Sequence, residues 1–161
     1  MTRTVLGPTL LEVFGADDSP MPEVERRARA AYGDRRIIVW EGDAQTFAFG
    51  YVGGDAEELL GHPAASWLQS ADFWVRQVVH PDDSDDAVAF CALATAKCKD
   101  HTFRYRARTT SGEIVWLEDY VRVVLGSRGI PTRLRGVMVE LNERERSHEF
   151  RPSPSELHAI T

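Results

Sequence analysis

The sequence predicts an α+β domain in which one antiparallel sheet carries a helical cover. Three observations predict it. Residues 101–109, "HTFRYRART", alternate strictly, with Phe103, Tyr105 and Ala107 on one face and Arg104, Arg106 and Arg108 on the other. The turns "TTSG" and "GSRG" join this run to "EIVWLEDYVRVVL" and "IPTRLRGVMVEL", and hairpin-type turns make neighbouring strands antiparallel. Before these runs, "DDSDDAVAFCALATAKCKD" places Ala87, Cys91, Ala94 and Cys98 at the helix period. Helices grouped in the middle of the chain must then lie over one face of the sheet.

The 161 residues suit one domain with an appendage. A hydrophobic content of 43% and a charged content of 27% are ordinary for a soluble globular protein. The net charge of −6 argues against general affinity for nucleic acid or an anionic membrane surface. Cys91 and Cys98 lie seven residues apart on one predicted helix, so about 10 Å apart at ~1.5 Å per residue. That exceeds the reach of a disulfide, and two reduced thiols fit a cytoplasmic location. The N-terminal stretch "MTRTVLGPTLLEVFG" is interrupted by Pro8 and Glu12. It is too short and mixed for a signal peptide or a membrane span.

In chain order, a short apolar segment spans Leu10 to Phe14. Residues 22–32 form a helix with Glu23 near its start, arginines later and Gly33 as its stop. Its apolar positions (Val24, Ala28, Ala31, Tyr32) make a weak stripe that docks rather than builds core. Residues 36–52 hold two strand-like runs split by a hairpin signal at Gly42-Asp43. Residues 55–60 form a helical turn with Asp55 as N-cap and Gly61 as stop. Residues 64–79 read as short helices. After the last strand, Asn142 caps an exit helix with Glu145 at its third position, ended by Pro152 and Pro154.

The stretch "VVHPDDSDDAVAF" sets a histidine beside four carboxylates. The structural reading is a helix start: Pro81 enters the first turn, Asp82 or Asp83 caps it, and Asp85 and Asp86 face the positive end of the dipole. A metal site would need ligands converging from elsewhere, and no other His or Cys lies at ligand spacing. A catalytic His–Asp pair would need a nucleophile, and no Gly-x-Ser-x-Gly or comparable motif occurs. A small enzyme or carrier using His80 with Asp82 or Asp83 remains the alternative. The direction of the His80 ring discriminates the two.

Four segments in order, "EELLGHPAASWL", "VVHPDDSDDAVAF", "TFRYRARTTSGEIVWLED" and "RLRGVMVELNERE", resemble a PAS domain of the subtype with an HPDD motif. The resemblance covers roughly residues 36–145. It implies a five-stranded antiparallel sheet with helices covering one face, to which the first residues add an N-terminal helical extension. The implied division is 1–35 extension, 36–142 sensory domain, and 143–161 short exit helix and tail. It also implies a non-catalytic role in sensing, dimerisation and signal transfer through the terminal helices. The family's Asp-Ile-Thr at the end of the last strand is Glu140-Leu141-Asn142 here, which keeps an acid and a cap at the signal junction. The exit helix is expected to last about two turns.

The resemblance places a pocket between the sheet and the long helix. Candidate lining residues are Trp67, Phe73, Trp74, Phe90, Cys91 and Ala94 from the helical segments. Phe103, Tyr105 and Val137 come from the strands. The alternative is that these side chains only fill the core. The flavin motif Asn-Cys-Arg-Phe of blue-light PAS domains is absent, and Cys91 reads as a small buried hydrophobe. Residues 83–99 contain no histidine, which leaves His80 just before the helix and His101 just after it as candidate haem ligands, with haem considered through His80. The cofactor is therefore left unassigned, with none favoured over haem or flavin. Expected partners are a small-molecule ligand, a second copy meeting it through the sheet or the N-terminal helix, and an output domain or signalling protein such as a histidine kinase, diguanylate cyclase or transcription regulator. Nucleic acid and membrane are not expected.

Overall fold

The structure, a computed structural model, describes residues 10–146 and 151–152. Two short helices, α1 (Leu10–Phe14) and α2 (Met21–Tyr32), precede β1 (Ile37–Asp43) and β2 (Phe49–Gly54). The helices α3 (Ala56–Leu60) and α4 (Ala64–Trp67), a π-helical turn at Trp74–Val78 and the long helix α5 (Pro81–Ala96) follow. The strands β3 (His101–Arg108), β4 (Ile114–Leu125) and β5 (Pro131–Glu140) complete the main sheet. All its pairings are antiparallel, in the order β2-β1-β5-β4-β3, and a two-residue strand β6 (Arg151–Pro152) adds to the β3 edge. The predicted five-stranded antiparallel sheet is thus present.

Both faces of the sheet are covered. The inner phase (Ile38 and Trp40 on β1, Leu117 and Val121 on β4, Leu134 and Met138 on β5) packs against α3, α4 and α5 in the main core. The outer phase (Ile37, Val39, Tyr120, Val137, Val139) packs against Val13, Phe14, Met21, Val24, Ala28 and Tyr32 of α1 and α2. Met21, Val24, Ala28 and Tyr32 recur at spacings of three and four, which makes one buried helical stripe. Tyr32 lies 5.8 Å from the Tyr120 ring, so the first helices are the cover that the outer aromatics require. Ala31, expected on that stripe, is exposed. Arg135 is buried on the outer face, where Glu41 accepts from its Nε at 2.7 Å and the Ser19 carbonyl accepts from Nη2 at 2.6 Å. These bonds anchor the segment between α1 and α2.

Several local expectations shift. The β1–β2 turn falls after Gly42, over residues 43–47: Asp43 Oδ1 accepts from the Gln45 and Thr46 amides, and Phe47 takes a φ of 63°. The Asp side chain thus organises the turn itself. Asp55 stands at the start of α3 without capping it; its carboxylate turns back to accept from the Ile37 amide at 3.0 Å and from Arg29 at 2.8 Å. Gly61 stops α3 in the left-handed conformation, at φ 93°. Helix α5 ends at Ala96 rather than 99, because Cys98 turns left-handed at φ 59°.

At the C-terminal end, Asn142 and Glu145 form the expected capping box, but the element they start is a single 3-10 turn, Glu143–Glu145, in place of a two-turn helix. Arg146 is already extended. Two ties pull the segment back to the domain: Glu145 accepts from both Arg35 terminal nitrogens at 2.6 Å, and its carbonyl accepts from Arg104 at 2.6 Å. The remainder of the predicted exit helix and tail lies mostly outside the described residues.

Candidate functional site: a cavity between sheet and helices

The start of α5 decides the reading of the acidic stretch. His80 is the N-cap, and its Nδ1 accepts from the Asp82 backbone N–H at 3.0 Å. Neither Asp82 nor Asp83 caps the helix. Asp83 is buried and accepts from Arg106 Nη2 at 2.6 Å, from Nε at 3.0 Å and from the Arg106 amide at 2.9 Å. Burial opposes the charge on Asp83, but these bonds outweigh it and lower the carboxyl's pKa. The histidine is held by backbone at the turn, which removes the observation on which the His–Asp catalytic alternative depended. Among the described residues no three His, Cys, Asp or Glu side chains gather as a metal site.

A cavity of about 210 Å³ lies between the inner sheet face and the helical layer. Three of the expected residues line it: Trp74, Cys91 and Phe103. Trp67, Phe73, Phe90, Ala94 and Tyr105 belong to the same core but pack behind the wall. Val137 is a correction: it sits on the outer face under α1 and α2, and its neighbour Met138 takes the inner position. The rest of the wall comes from Trp40, Gly42, Phe49, Val88, Asp119, Val121 and Leu134. Thr46, Phe47, Ala71, Asp72 and Val75 form its more exposed rim. Two unusual backbone features adjoin this rim, the left-handed Phe47 and the π-helical turn at Trp74, both of which are enriched at functional sites.

Asp119 is the polar centre of this apolar wall. Its Oδ1 accepts from Trp40 Nε1 at 3.2 Å and its Oδ2 from the Tyr105 hydroxyl at 2.8 Å. The Tyr105 oxygen in turn accepts from Trp74 Nε1 at 3.1 Å. Burial raises the Asp119 pKa to about 7, even though both hydrogen bonds favour the anion. Trp40 reaches its place because Gly136 faces it across the strands; a Cβ there would lie 2.1 Å from the indole. Behind the wall, His101 contacts the Lys99 carbonyl at 2.9 Å through Nδ1 and Cys91 Sγ at 3.3 Å through Nε2. Burial lowers the ring's pKa to about 4 and raises the thiol's to about 12, so both are neutral and Cys91 is no nucleophile. A neutral ring that donates from Nδ1 accepts at Nε2 from the thiol. His80 is not part of the wall, so this cavity does not bring together the haem ligation considered for it.

Glu140 and Asn142, the residues expected at the junction, both have defined partners. Glu140 pairs with Arg36 at 3.0 Å, and Asn142 receives the Glu145 amide at 3.1 Å. Both stand beside Arg35 and Arg36, in the segment that leads from α2 to β1.

Residues 50–138, more than half of the chain, match the family model described as PAS fold. The chain belongs to the PAS family. Its domain is similar to the N-terminal domain of a diguanylate cyclase with PAS/PAC sensor from Marinobacter aquaeolei, at 35% identity and a TM-score of 0.63, over 69% of this chain and 100% of that one. The fold also matches a sensory box histidine kinase/response regulator from Burkholderia thailandensis at 22% identity and a TM-score of 0.58, covering 74% of this chain and 88% of that one. A domain of a light and redox sensing histidine kinase from Haloarcula marismortui matches at 16% identity and a TM-score of 0.57, covering 73% and 100%. No curated protein matches the chain. The PAS domain is thus a sensory module of the signal-transduction type. No helix among its described residues is long and apolar enough to cross a membrane.

Proposed function

We propose that this PAS domain is a non-catalytic sensor that takes a small molecule into the cavity beside Asp119 and passes occupancy to its two terminal segments. The single observation carrying this reading is the cavity itself, walled on one side by β1, β4 and β5 and on the other by the π-helical turn and α5. Trp40 and Met138 of its wall are on strands whose next residues, in the outer phase, support α2. A ligand changes a distant segment only through a difference in affinity between two arrangements. The Arg35–Glu145 clamp, which joins the end of α2 to the end of β5, is the element available to be biased. The output is a partner signalling protein or domain. A homodimer belongs to the same reading; because α1 and α2 occupy the outer sheet face, the second copy meets the outward side of α2. A cytoplasmic location is supported by Cys91 and Cys98, which are both unbridged.

Native mass spectrometry of the unheated protein tests this reading. The expected spectrum contains a species heavier than the chain by a small molecule. That increment is lost on denaturation and diminished in Val88→Phe, which narrows the cavity. A spectrum of bare chain that takes up no small molecule from a fragment mixture would falsify the cavity as a ligand site. The same spectrum reports subunit number.

A further inference from the structure

The lining of the cavity selects by charge as well as by size. Five aromatic side chains face it: Trp40, Phe47, Phe49, Trp74 and Phe103. Among the described residues no lysine, arginine or histidine does, and the two ionisable side chains there besides the neutral Cys91 thiol are carboxyls, Asp119 and Asp72. Asp72 is at the exposed rim and is already paired with Arg76 at 2.7 Å. Charge recognition therefore falls on Asp119, which is 1% exposed and has no cationic side chain among its hydrogen-bond partners. Trp40 and Tyr105 hold its two oxygens in place by donating to them. Burial favours the protonated Asp119 carboxyl, and a bound cation favours its ionised form; once ionised it is an anion among ring faces, the complement of an organic cation: the rings attract a cation through their quadrupoles, and the carboxylate supplies the charge.

We infer that the ligand is a small organic ammonium, a single ring or short alkyl body with one protonated nitrogen directed at the Asp119 carboxylate. This inference rests on the cavity being the ligand site, as proposed above. Size is consistent with it. An apolar cavity of about 150 Å³ admits benzene, so 210 Å³ admits one ring with a two-carbon arm. A carboxylic acid or phosphate would meet Asp119 with like charge and no compensating base.

Calorimetric titration at pH 8, above the Asp119 value of about 7, with three isosteric probes tests the inference. These are 2-phenylethylammonium, 2-phenylethanol and phenylacetate, each added to the wild-type chain and to Asp119→Asn. The expected result is at least tenfold tighter binding of the ammonium than of the alcohol, with no detectable phenylacetate. In Asp119→Asn the ammonium should fall to within twofold of the alcohol, and retained alcohol binding shows that the variant's cavity is intact. Should the variant fail to fold, the wild-type ratio decides alone. Any ratio below tenfold overturns the charge preference and leaves the cavity reading standing. If none of the three probes binds, the inference is overturned, and the native-mass measurement then decides the cavity reading separately.

Discussion

The guanidinium of Arg106 grips the carboxylate of Asp83 at two points, at 2.6 Å and 3.0 Å, and the same residue's backbone amide adds a third bond at 2.9 Å. This relationship fixes the first turn of α5 to the middle of β3, beside the bond from the His80 amide to the Arg106 carbonyl. The Arg106 guanidinium carbon also lies 5.7 Å from the Trp116 ring centre, within cation–π range.

Breaking this pair leaves a partly buried arginine and an unmatched amide. We expect Asp83→Ala to cost about 2–4 kcal/mol, at the lower side of values for buried pairs because the Arg106 head is partly solvated. Urea denaturation reads the loss. The stabilisation from Asp83 is present above the ordinary carboxylate range and is lost as pH falls through the lowered native value. Asp83→Ala should therefore be less acid-sensitive than wild type.

Gly136→Ala should force the Trp40 indole out of its place, since the added carbon would stand 2.1 Å from indole Cε2. We expect a loss of about 1–3 kcal/mol, the usual effect of overpacking. The same substitution in a Trp40→Ala background should cost at least ~1 kcal/mol less, because the two sites share one contact. An additive double mutant would show that the indole is not what Gly136 accommodates.

The proton on Asp119 gives stability an unusual slope. Burial raises its native pKa to about 7 from an ordinary 3.8, while Tyr105 and Cys91 around it remain neutral. Between those values the native state keeps a proton that the unfolded chain releases. The contribution of Asp119 is therefore largest in acid, falls as pH rises from about 4 to about 7, and is level above. At about 1.4 kcal/mol per unit the swing approaches about 4 kcal/mol. His101 works in the other sense: its native pKa of about 4 lies below the ordinary 6.5, so its contribution is lost as pH falls across that interval. The quantity to measure is the stability of wild type minus that of Asp119→Asn, by denaturant titration from pH 4.5 to 7.5. We expect it to decrease with pH. A constant difference would return Asp119 to the usual carboxylate range.

The clamp at the junction is partly solvated, and its worth is correspondingly small. Glu145→Gln should speed amide exchange across residues 140–146 about fivefold, equivalent to about 1 kcal/mol, and leave the Val121 amide unchanged. Arg35 lowers the Glu145 pKa mainly through its hydrogen bonds, so the clamp is complete above the ordinary carboxylate range and opens in acid. Equal exchange in the two proteins would place the constraint elsewhere.

What could be read from the residues follows from where one face of an element is wet. β3 alternates cleanly because its arginines lie at a partly solvated face, and Gly33 and Gly61 end helices where backbone freedom is needed. β5 is buried at every position from Leu134 to Val139, so "LRGVMV" carries no phase, and Val137 could not be told from Met138. The same double burial hid Asp119: an acid within "WLEDYV" reads as solvated until both layers are known. Its only local signal is phase, because it shares the inner register with Leu117 and Val121. The exit helix was overestimated because the capping box specifies a start and says nothing of length; the ties from Arg35 and Arg104 that hold Glu145 close to the sheet come from far along the chain.

The sheet order carries a consequence for biosynthesis. Strand β1 emerges early yet bonds on its inner edge to β5, the last of the long strands, with Ile37 opposite Val139. Ile37, Ile38 and Val39 therefore wait without that partner while the helical layer and two further strands are made. A ribosome stalled before Pro131 would present β1 with its β5-facing edge unpaired, while α2 can already cover the outer face that carries Ile37 and Val39. The helices that precede β1 thus bury one face of that strand before its last partner exists, and its unpaired edge is the part left open to wrong pairing.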